Sequence, residues 1–343
     1  MTKKTHRIAI NGFGRIGRAF FRLAQQDDSV VVVAINDLAP LENLAYLLKY
    51  DSVYGRFPFS ISVSEDGAAL IIDDQPIPYL SEKSPENLPW DEHEVDVVVE
   101  STGFFTDYKD AAKHVVAGAK RVVISAPAKG ESEKGVSSTV LMGVNENELE
   151  TTKVTSNASC TTNAGGGVIA VLHEMLGIER AMLNTVHAYT SSQDIVDGPN
   201  KKPRRGRAAA QNIVPSSTGA AEATTKVITD LAGKFDGIAL RVPVVCGSIA
   251  DITFVPKTET TVDEVNGLLR AAAGTEQWKN VFAVTDEPLV SSDIIGQPYA
   301  AIVDLSMTRV VDGKLVKVMA WYDNEMGYSH TLLEHVKKAA ENV

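Results

Sequence analysis

The fold of this chain is decided by residues 7–17, which read RIAINGFGRIG. The first five of these residues predict a short buried strand, and apolar side chains recur at helical spacing over residues 16–23. Between the strand and the helix, Gly12 permits a tight turn, Gly14 lets a pyrophosphate approach the backbone, and Gly17 lets the helix pack closely on the strand. The spacing therefore predicts a dinucleotide-binding turn, with the pyrophosphate at the N-terminus of the helix.

A carboxylate follows at the distance that such a turn requires. Residues 30–36 predict a second strand that leads into Asp37, which lies 20 residues after Gly17, where the dinucleotide-binding fold places its ribose-binding acid. The alternative is an ordinary glycine turn beside a solvated aspartate. Further helices are predicted at residues 41–49 and 108–117, and further strands at residues 95–100 and 121–125. This alternation predicts a parallel, doubly wound sheet whose ligand lies beyond the carboxyl ends of the strands, near Ser125.

Length, charge and cysteine content narrow the class of protein. The 343 residues predict two domains, and the net charge of −11, without a long basic run, argues against nucleic acid as a partner. Only Cys160 and Cys246 are present, which cannot build a disulfide framework and fits a reducing cytosol. Neither the N-terminus nor the apolar run at residues 30–35 has the length of a signal peptide or a membrane span. We therefore expect a cytoplasmic protein with no membrane partner and no metal site.

A second informative stretch is residues 156–163, which read SNASCTTN. It places Cys160 among small hydroxyl and amide side chains at the predicted start of a helix. A helix N-terminus presents unpaired N–H groups and a partial positive charge, which favour a thiolate and can hold an anion. The alternative is a buried structural cysteine beside an ordinary Ser/Thr cap, and from these residues alone both interpretations stay open.

The second half of the chain predicts an α+β domain with a mostly antiparallel sheet backed by helices. The change of domain is expected at residues 151–157. Strands are predicted at residues 182–189, 237–244, 248–255, 300–308 and 315–322, and a closing helix at residues 329–340. An Asp-Gly turn at residues 312–313 joins the last two strands as a hairpin.

Three further features of this half suggest chemistry. His187 follows Cys160 by 27 residues, and an imidazole there could pair with the thiolate and move protons, although the spacing also allows a histidine bonded in the core. Arg241 is a charge in an apolar strand and should be functional or held in an ion pair. Residues 191–207 are too long for an idle connection. They carry a basic cluster that could bind phosphate groups or could simply be a solvated surface. Its members are Lys201, Lys202, Arg204, Arg205 and Arg207.

Residues 156–163 resemble the nucleophile signature of the phosphorylating glyceraldehyde-3-phosphate dehydrogenases. The likeness extends from residues 11–17 to WYDNE at residues 321–325 without a long insertion, so it covers nearly the whole chain. It implies a Rossmann-type doubly wound domain at residues 1–157, an α+β catalytic domain at residues 158–328, and a C-terminal helix at residues 329–343 that packs back on the first domain.

The resemblance also implies an activity and its partners. The expected reaction oxidises glyceraldehyde 3-phosphate to 1,3-bisphosphoglycerate through a thioester on Cys160, with hydride transfer to NAD and attack by inorganic phosphate. Residues 191–207 resemble the family's loop that packs against a neighbouring subunit's cofactor. A homotetramer is therefore expected.

Individual roles follow from the same resemblance. Cys160 is the nucleophile, and His187 meets it as acid and base. The substrate phosphate is held by Thr190 and Arg241. The attacking phosphate is held by Ser159, Thr161, Thr218 and Gly219. The cofactor is bound by Gly12, Gly14, Arg15, Ile16, Gly17, Asp37, Ser125 and Asn324, the last through its amide near the carboxamide of the nicotinamide.

Four features depart from the family's usual pattern. Ser192 stands where an aspartate is common, which leaves the details of the substrate-phosphate site open. Met326 replaces a usual tryptophan, and Gly198 replaces a frequent leucine. Residues 165–167 are all glycine inside the predicted nucleophile helix, where each costs about 0.8–1 kcal/mol of helix propensity relative to alanine. None of these departures removes a catalytic group.

Two other functions stay open, as does the strictness of the cofactor preference. Erythrose-4-phosphate dehydrogenase is a sister activity with similar motifs, and a cofactor-sensing binding protein would keep the fold without turnover, although intact Cys160 and His187 argue against it. Asp37 would repel the 2′-phosphate of NADP, and no nearby residue supplies an obvious phosphate donor. Gly198 leaves room for that phosphate. We expect NAD to be preferred, with residual use of NADP.

Overall fold

The computed structural model describes residues 5–343, which fold into two compact units. The first unit takes in the chain up to Val140, then Asn145–Ala158 and Leu332–Val343. The second unit takes in Leu141–Val144 and Ser159–Thr331. Within residues 5–343, no helix is both long enough and apolar enough to cross a membrane.

The first unit is built on one large sheet. Its elements are, in chain order, β1 (His6–Asn11), α1 (Arg15–Ala24), β2 (Val30–Asn36), α2 (Leu41–Lys49), β3 (Tyr50–Asp51), β4 (Gly55–Arg56), β5 (Ile61–Val63), β6 (Ala69–Ile72), β7 (Gln75–Leu80), β8 (Val97–Glu100), α3 (Tyr108–Ala111), α4 (Lys113–Val116), β9 (Arg121–Ile124), β10 (Ser137–Thr139) and β11 (Val154–Ser156). The strand order is β10-β11-β9-β8-β1-β2-β7-β6-β5, and every pair from β10 to β7 is parallel. The chain starts in the middle of this sheet and winds outward in both directions, so the predicted parallel, doubly wound sheet is confirmed.

Two details of the first unit differ from the sequence prediction. The helix predicted at residues 108–117 is two short helices, α3 and α4, because the N–H groups of Val115 and Val116 both bond the carbonyl of Ala112. The first of these bonds spans three residues instead of four, which tightens the turn. The antiparallel edge formed by β5, β6 and β7 has no counterpart in the prediction, because Pro76 and Pro78 interrupt its pattern and favour an edge position.

The carboxyl ends of β1 and β8 approach each other closely at the glycine turn. Gly12 has φ of +94°, and a Cβ there would lie 2.6 Å from the backbone nitrogen of Thr102. A Cβ on Gly17 would lie 2.1 Å from the carbonyl oxygen of Gly12. Only glycine fits at either position, which agrees with the tight turn and the close helix packing expected from the sequence.

The second unit is built on a mixed sheet backed by helices. Its elements are α5 (Cys160–Leu176), β12 (Ile178–Ala188), β13 (Val214–Ser217), α6 (Ala220–Val227), β14 (Phe235–Val242), β15 (Ser248–Pro256), α7 (Val262–Ala273), β16 (Phe282–Thr285), β17 (Ala301–Asp304), β18 (Arg309–Val311), β19 (Leu315–Tyr322) and α8 (Met326–Glu341), whose last turns belong to the first unit. The strand order is β13-β14-β12-β15-β19-β17-β16, with β18 also paired to β19. The pairs β12 with β14 and β16 with β17 are parallel and the others antiparallel, so the predicted mostly antiparallel sheet is confirmed. Short 3₁₀ helices lie at Pro85–Asn87, Glu146–Glu150, Pro203–Gly206, Thr229–Leu231, Ser291–Ile294 and Leu305–Met307.

The strand predicted at residues 300–308 is wrong in its second half. It ends at Asp304, whose carboxylate accepts hydrogen bonds from the backbone N–H and the hydroxyl of Ser306 and so starts a 3₁₀ turn. The hairpin partner of β19 is instead the separate strand β18. The predicted turn between them is confirmed, because Asp312 and Gly313 both have positive φ, at 49° and 64°.

The glycine run in α5 has a packing reason. A Cβ on Gly166 would lie 2.8 Å from Cδ1 of Leu141, and one on Gly167 would lie 3.2 Å from the ring of Trp278. At Gly165 the nearest atoms, on Leu183 and Ile252, would be 3.9 Å away, which is ordinary van der Waals distance. The run therefore brings α5 close to its neighbours at two positions, whereas the third has room for a methyl group.

We expect Gly165→Ala to raise the free energy of unfolding by up to about 1 kcal/mol, because alanine has the higher helix propensity and fits without a clash. Gly167→Ala is the matched control, since the same gain is offset by displacement of the Trp278 ring. Urea unfolding of both variants provides the comparison. A loss of stability in Gly165→Ala, or an equal gain in both variants, would contradict this account of the packing.

Candidate active site

The nucleophile stretch forms the start of α5 in the second unit. Ser159 is the N-cap, and its Oγ accepts a hydrogen bond of 3.0 Å from the backbone N–H of Thr162. The side-chain amide of Asn163 donates to the carbonyl of Ser159 at 3.0 Å. Cys160 is therefore the first residue of a capped helix, as the sequence predicts, and lies where backbone N–H groups have no partner within the helix.

Cys160 lies against His187, near the end of β12. The Sγ atom is 3.4 Å from Nε2 of the imidazole. The other ring nitrogen, Nδ1, lies 2.6 Å from the carbonyl oxygen of Ala188, which only accepts, and 2.8 Å from a guanidinium nitrogen of Arg241, which only donates. When the ring proton is on Nδ1 and bonds Ala188, Nε2 presents a lone pair to the thiol. The structure thus joins two residues that the sequence separates by 27 positions.

Desolvation disfavours the charged form of both partners. It lowers the pKa of His187 to about 3, and the positive charge of Arg241 acts in the same direction. Burial also raises the pKa of the Cys160 thiol, against the opposing effects of Arg241 and of the hydrogen bonds from Thr161. At Cys160, desolvation therefore outweighs the contributions that favour a thiolate. Nε2 of His187 is the ring nitrogen that lies within reach of the thiol proton.

Arg241 lies beside this pair because β14 and β12 run in parallel register with His187 opposite Arg241. Its guanidinium donates to the carbonyl of Ala188 at 2.9 Å and lies 2.8 Å from Nδ1 of His187. Among the described residues, no carboxylate forms an ion pair with it, and its buried Nε atom has no partner. Arg241 therefore presents a cation and a free donor, which suits an anionic ligand and disfavours the structural ion pair.

Thr190 and Ser192 connect the site to a second arginine. Their hydroxyl oxygens are 3.0 Å apart, and Arg205 donates to Ser192 at 3.1 Å and to Ser216 at 2.9 Å. The positive charge of Arg205 contributes to lowering the pKa of Arg241, after the larger effect of burial. Arg205 is thus a second cation whose charge is felt at Arg241. The basic cluster in the sequence contained this residue, but only the fold singles it out from its neighbours.

The residues expected to hold the attacking phosphate have unequal surroundings. The hydroxyl of Ser159 is 2.7 Å from that of Thr162, whereas Thr161 is buried with its hydroxyl 2.8 Å from the phenol oxygen of Tyr322. Thr218 and Gly219 lie at the N-terminus of α6, where the hydroxyl of Thr218 accepts from the backbone N–H of Ala220.

Two residues near the nucleophile were missed by the sequence analysis. The phenol of Tyr322 bridges the hydroxyls of Thr161 and Thr185, and its ring meets that of His187 edge to face with centroids 5.8 Å apart. Ser248 accepts from the backbone N–H of Ala188 and donates to Oδ1 of Asn324, both at 3.1 Å. Ser248 therefore fixes which way the Asn324 amide points. Strand alternation could have identified both as inward-facing, since Ser248 and Tyr322 are register partners.

The first unit carries a separate pocket of about 430 Å³ at the glycine turn. Gly12, Gly14 and Asp37 line it, and no atom lies within 4 Å of where a Cβ on Gly14 would be. The Asp37 carboxylate accepts from the backbone N–H of Phe13 at 2.6 Å and from that of Ala39 at 2.9 Å. An open glycine turn, the start of α1 and a fixed carboxylate are the groups that a pyrophosphate and a ribose require.

The remaining predicted cofactor residues have other surroundings. Arg15, on α1, forms an ion pair of 2.5 Å with Asp51. Ser125 donates its backbone N–H to the carbonyl of Glu100. Within the described part of the chain, the predicted cofactor residues of the first unit that lie outside the pocket lining are Arg15, Ile16, Gly17 and Ser125. Lys83 does line the pocket, so a cation lies in the same pocket as Asp37, where the sequence analysis found no donor.

Two family models match the chain. The glyceraldehyde 3-phosphate dehydrogenase NAD binding domain matches residues 6–108, and the C-terminal domain of the same enzyme matches residues 159–324. A glyceraldehyde-3-phosphate dehydrogenase from Geobacillus stearothermophilus is 49% identical over 330 residues, which are 96% of each chain. The chain belongs to the glyceraldehyde-3-phosphate dehydrogenase family. A relative with the same name from Streptomyces coelicolor is 47% identical over 96% of this chain and 97% of its own length. Another from Zymomonas mobilis is 44% identical over 98% of this chain and 99% of its own length.

We expect Arg241→Leu to move the pH midpoint for alkylation of Cys160 upward, by about one to three pH units. Loss of the cation raises the pKa of the thiol and that of His187, so the pair releases its proton at a higher pH. Arg241→Lys is the matched control, because it keeps a charge and should shift the midpoint less. Rates with iodoacetamide, measured in a Cys246→Ser background, give the profile. A midpoint unchanged in Arg241→Leu would contradict the electrostatic coupling.

Proposed function

We propose that this chain is an NAD-dependent, phosphorylating glyceraldehyde-3-phosphate dehydrogenase of glycolysis and gluconeogenesis. It converts glyceraldehyde 3-phosphate, NAD and inorganic phosphate into 1,3-bisphosphoglycerate and NADH. The observation that carries the proposal is the 3.4 Å contact between the thiol of Cys160 and Nε2 of His187, at a helix N-terminus and beside the cation of Arg241. A nucleophile, a base and a fixed positive charge are what acyl transfer on a phosphorylated aldehyde needs.

The residues of the second unit suggest the order of bond changes. Sγ of Cys160 attacks the aldehyde carbon, its proton passes to Nε2 of His187, and His187 returns that proton to the former carbonyl oxygen. NAD, when bound, supplies the hydride acceptor. His187 removes the hydroxyl proton as the C–H bond breaks, which leaves a thioester on Cys160. Phosphate then attacks the thioester carbon, the C–S bond breaks, and the sulfur regains its proton.

The proposed phosphate contacts follow from charge and hydrogen-bonding capacity. Arg241, with its free Nε donor, and Thr190 would hold the phosphate of the substrate. The attacking phosphate would be held by Ser159, Thr161, Thr218 and Gly219.

The proposed cofactor contacts are those that the family resemblance assigns. Gly12, Gly14 and Asp37 would hold the pyrophosphate and the ribose, and the Asn324 amide would contact the nicotinamide, with Oδ1 engaged by Ser248 and Nδ2 directed to the cofactor. We also propose Arg15, Ile16, Gly17 and Ser125 as cofactor-binding residues.

The proposed domains are a dinucleotide-binding domain at residues 1–157, which includes the helix at residues 329–343, and a catalytic domain at residues 158–328.

We further propose a homotetramer located in the cytoplasm. The tetramer is supported by the resemblance of residues 191–207 to an intersubunit loop and by exposed apolar side chains in and near it, at Ile195, Val196 and Ile213. Sedimentation velocity tests the assembly.

The proposed activity predicts that glyceraldehyde 3-phosphate reduces NAD steadily only when inorganic phosphate is present. Cys160→Ser should abolish turnover and keep cofactor binding, whereas Cys246→Ser, at a buried thiol bonded to Asp323, should keep both. Absorbance of NADH at saturating substrate provides the measurement. Turnover independent of phosphate, activity in Cys160→Ser, or a larger kcat/KM for erythrose 4-phosphate would overturn the assignment.

The pocket of the first unit predicts a preference for NAD over NADP. A 2′-phosphate at about 4 Å from the Asp37 carboxylate costs about 4 kcal/mol at an effective dielectric of about 20. Two backbone N–H groups fix that carboxylate, so it does not readily turn away. Lys83 in the same lining would offset part of this repulsion and allow the expected residual use of NADP.

Asp37→Asn should narrow the ratio of kcat/KM for NAD to that for NADP by at least about tenfold, because it removes the charge and keeps a polar side chain. Lys83→Ala is the complementary variant and should widen the ratio. Steady-state kinetics with both cofactors gives the two ratios. A wild-type preference for NADP, or no change in either variant, would exclude this electrostatic explanation.

A further inference from the structure

A chain of buried side chains extends from the core of the first unit to the lining of the dinucleotide pocket. Its members, which we call the buried relay, are each at most 4% exposed: Trp90, His114, Glu100, Asn11 and Asn36. Trp90 Nε1 lies 2.9 Å from His114 Nδ1, and His114 Nε2 lies 3.1 Å from Glu100 Oε2. Asn11 Nδ2 lies 2.5 Å from the same carboxylate oxygen, and Asn36 Nδ2 lies 2.6 Å from Asn11 Oδ1.

The proton positions in the buried relay are fixed from both ends. An indole N–H only donates, so His114 Nδ1 accepts, and the ring proton lies on Nε2 and points at Glu100. At the other end, Asn36 accepts from the backbone N–H of Glu82 at 2.8 Å and donates to its carbonyl at 2.9 Å. Asn36 Nδ2 therefore also donates to Asn11, whose own Nδ2 must face Glu100. Both assignments direct a donor at the same carboxylate oxygen, with the two donor nitrogens 3.3 Å apart.

Glu100 is fully satisfied although it is buried. Its Oε2 accepts from His114 and Asn11, and its Oε1 accepts from the backbone N–H of Thr102 at 2.8 Å and from the Thr102 hydroxyl. A buried carboxylate with four donors holds each of them in one orientation, because any donor that turns away leaves a desolvated charge without its partner.

The buried relay reaches the pocket through the ends of three strands. Asn11 ends β1 directly before Gly12, Asn36 ends β2 directly before Asp37, and Glu100 ends β8 two residues before Thr102. Asn11, Asn36 and Thr102 also line the pocket, whereas Glu100, His114 and Trp90 lie behind it. The strands that carry the pyrophosphate turn and the ribose acid are thus joined by one hydrogen-bonded network.

We propose that Glu100, His114 and Trp90 are positioning residues for the adenosine diphosphate half of the dinucleotide. They act through Asn11 and Asn36, which hold the glycine turn and Asp37 at the separation that the pyrophosphate and the ribose require. This inference rests on the proposed binding of NAD by the first unit. It predicts that residues without any contact to the cofactor control its affinity.

Adenosine diphosphate ribose is the probe, because it lacks the nicotinamide and reports on this half alone. Glu100→Gln replaces one carboxylate oxygen, which accepts hydrogen bonds, by an amide nitrogen, which can only donate. The donors that face this position then lose their acceptor. Binding of adenosine diphosphate ribose should weaken by about 10- to 100-fold, the loss expected for one hydrogen bond to a charged group. Trp90→Phe keeps an aromatic ring but removes the indole N–H, together with part of the ring volume, and frees the His114 tautomer, so a loss of about 3- to 10-fold is expected. Isothermal titration calorimetry gives the dissociation constants.

Leu70→Ala is the matched control, since Leu70 is a buried residue of β6 and not a member of the buried relay. It should lower the melting temperature without weakening the probe. In Glu100→Gln and Trp90→Phe, KM for NAD should rise while KM for glyceraldehyde 3-phosphate and the rate of Cys160 alkylation stay unchanged. A role in stability alone would not produce this separation.

The inference is overturned if the dissociation constants of the probe for Trp90→Phe and for folded Glu100→Gln are within twofold of the wild-type value. It is also overturned if Leu70→Ala weakens binding of the probe as much as these two variants do. It is also overturned if the wild-type chain binds no adenosine diphosphate ribose. A wild-type chain that binds the probe but does not oxidise glyceraldehyde 3-phosphate would refute the proposed function, and the variants would still decide the role of the buried relay.

Discussion

The contact between the sulfur of Cys160 and Nε2 of His187 is the interaction on which the proposed chemistry of the second unit depends. It exists because a capped helix begins at Cys160 and the neighbouring strand β12 ends just after His187. The parallel register of β12 and β14 then puts Arg241 beside the imidazole. A slip of one residue would turn the guanidinium to the other face of the sheet. Sheet register is therefore part of the active site.

Burial and the charge of Arg241 act against each other at Cys160 and in the same direction at His187. Desolvation favours the neutral thiol and the neutral imidazole, while Arg241 favours the thiolate and opposes the imidazolium. An anion bound to Arg241 would weaken its effect on both partners and make the imidazolium easier to form. Because proton transfer from sulfur to nitrogen leaves the total charge unchanged, the pair can react without moving a net charge out of water.

The features predictable from the sequence are those set by local geometry. The glycine spacing, the strand Val30–Asn36, the helix Leu41–Lys49 and the strand Leu315–Tyr322 follow from residues close together in the chain. Features set by long-range packing escaped prediction. Arg205 looks like its basic neighbours until the fold turns it toward Ser192, and Glu100 and His114 become partners only when β8 and α4 pack together. Hydrophobic periodicity carries no information about which polar side chains will meet.

The most direct test of the account is to stop the reaction at the proposed thioester. Glyceraldehyde 3-phosphate and NAD are mixed with the protein in the absence of phosphate, the mixture is quenched in acid, and the peptides are analysed by mass spectrometry. The account predicts a burst of NADH matched by an acyl group on the peptide that carries Cys160, which disappears when phosphate is added before the quench. A burst without an adduct, or an adduct that phosphate does not remove, would contradict covalent catalysis at Cys160.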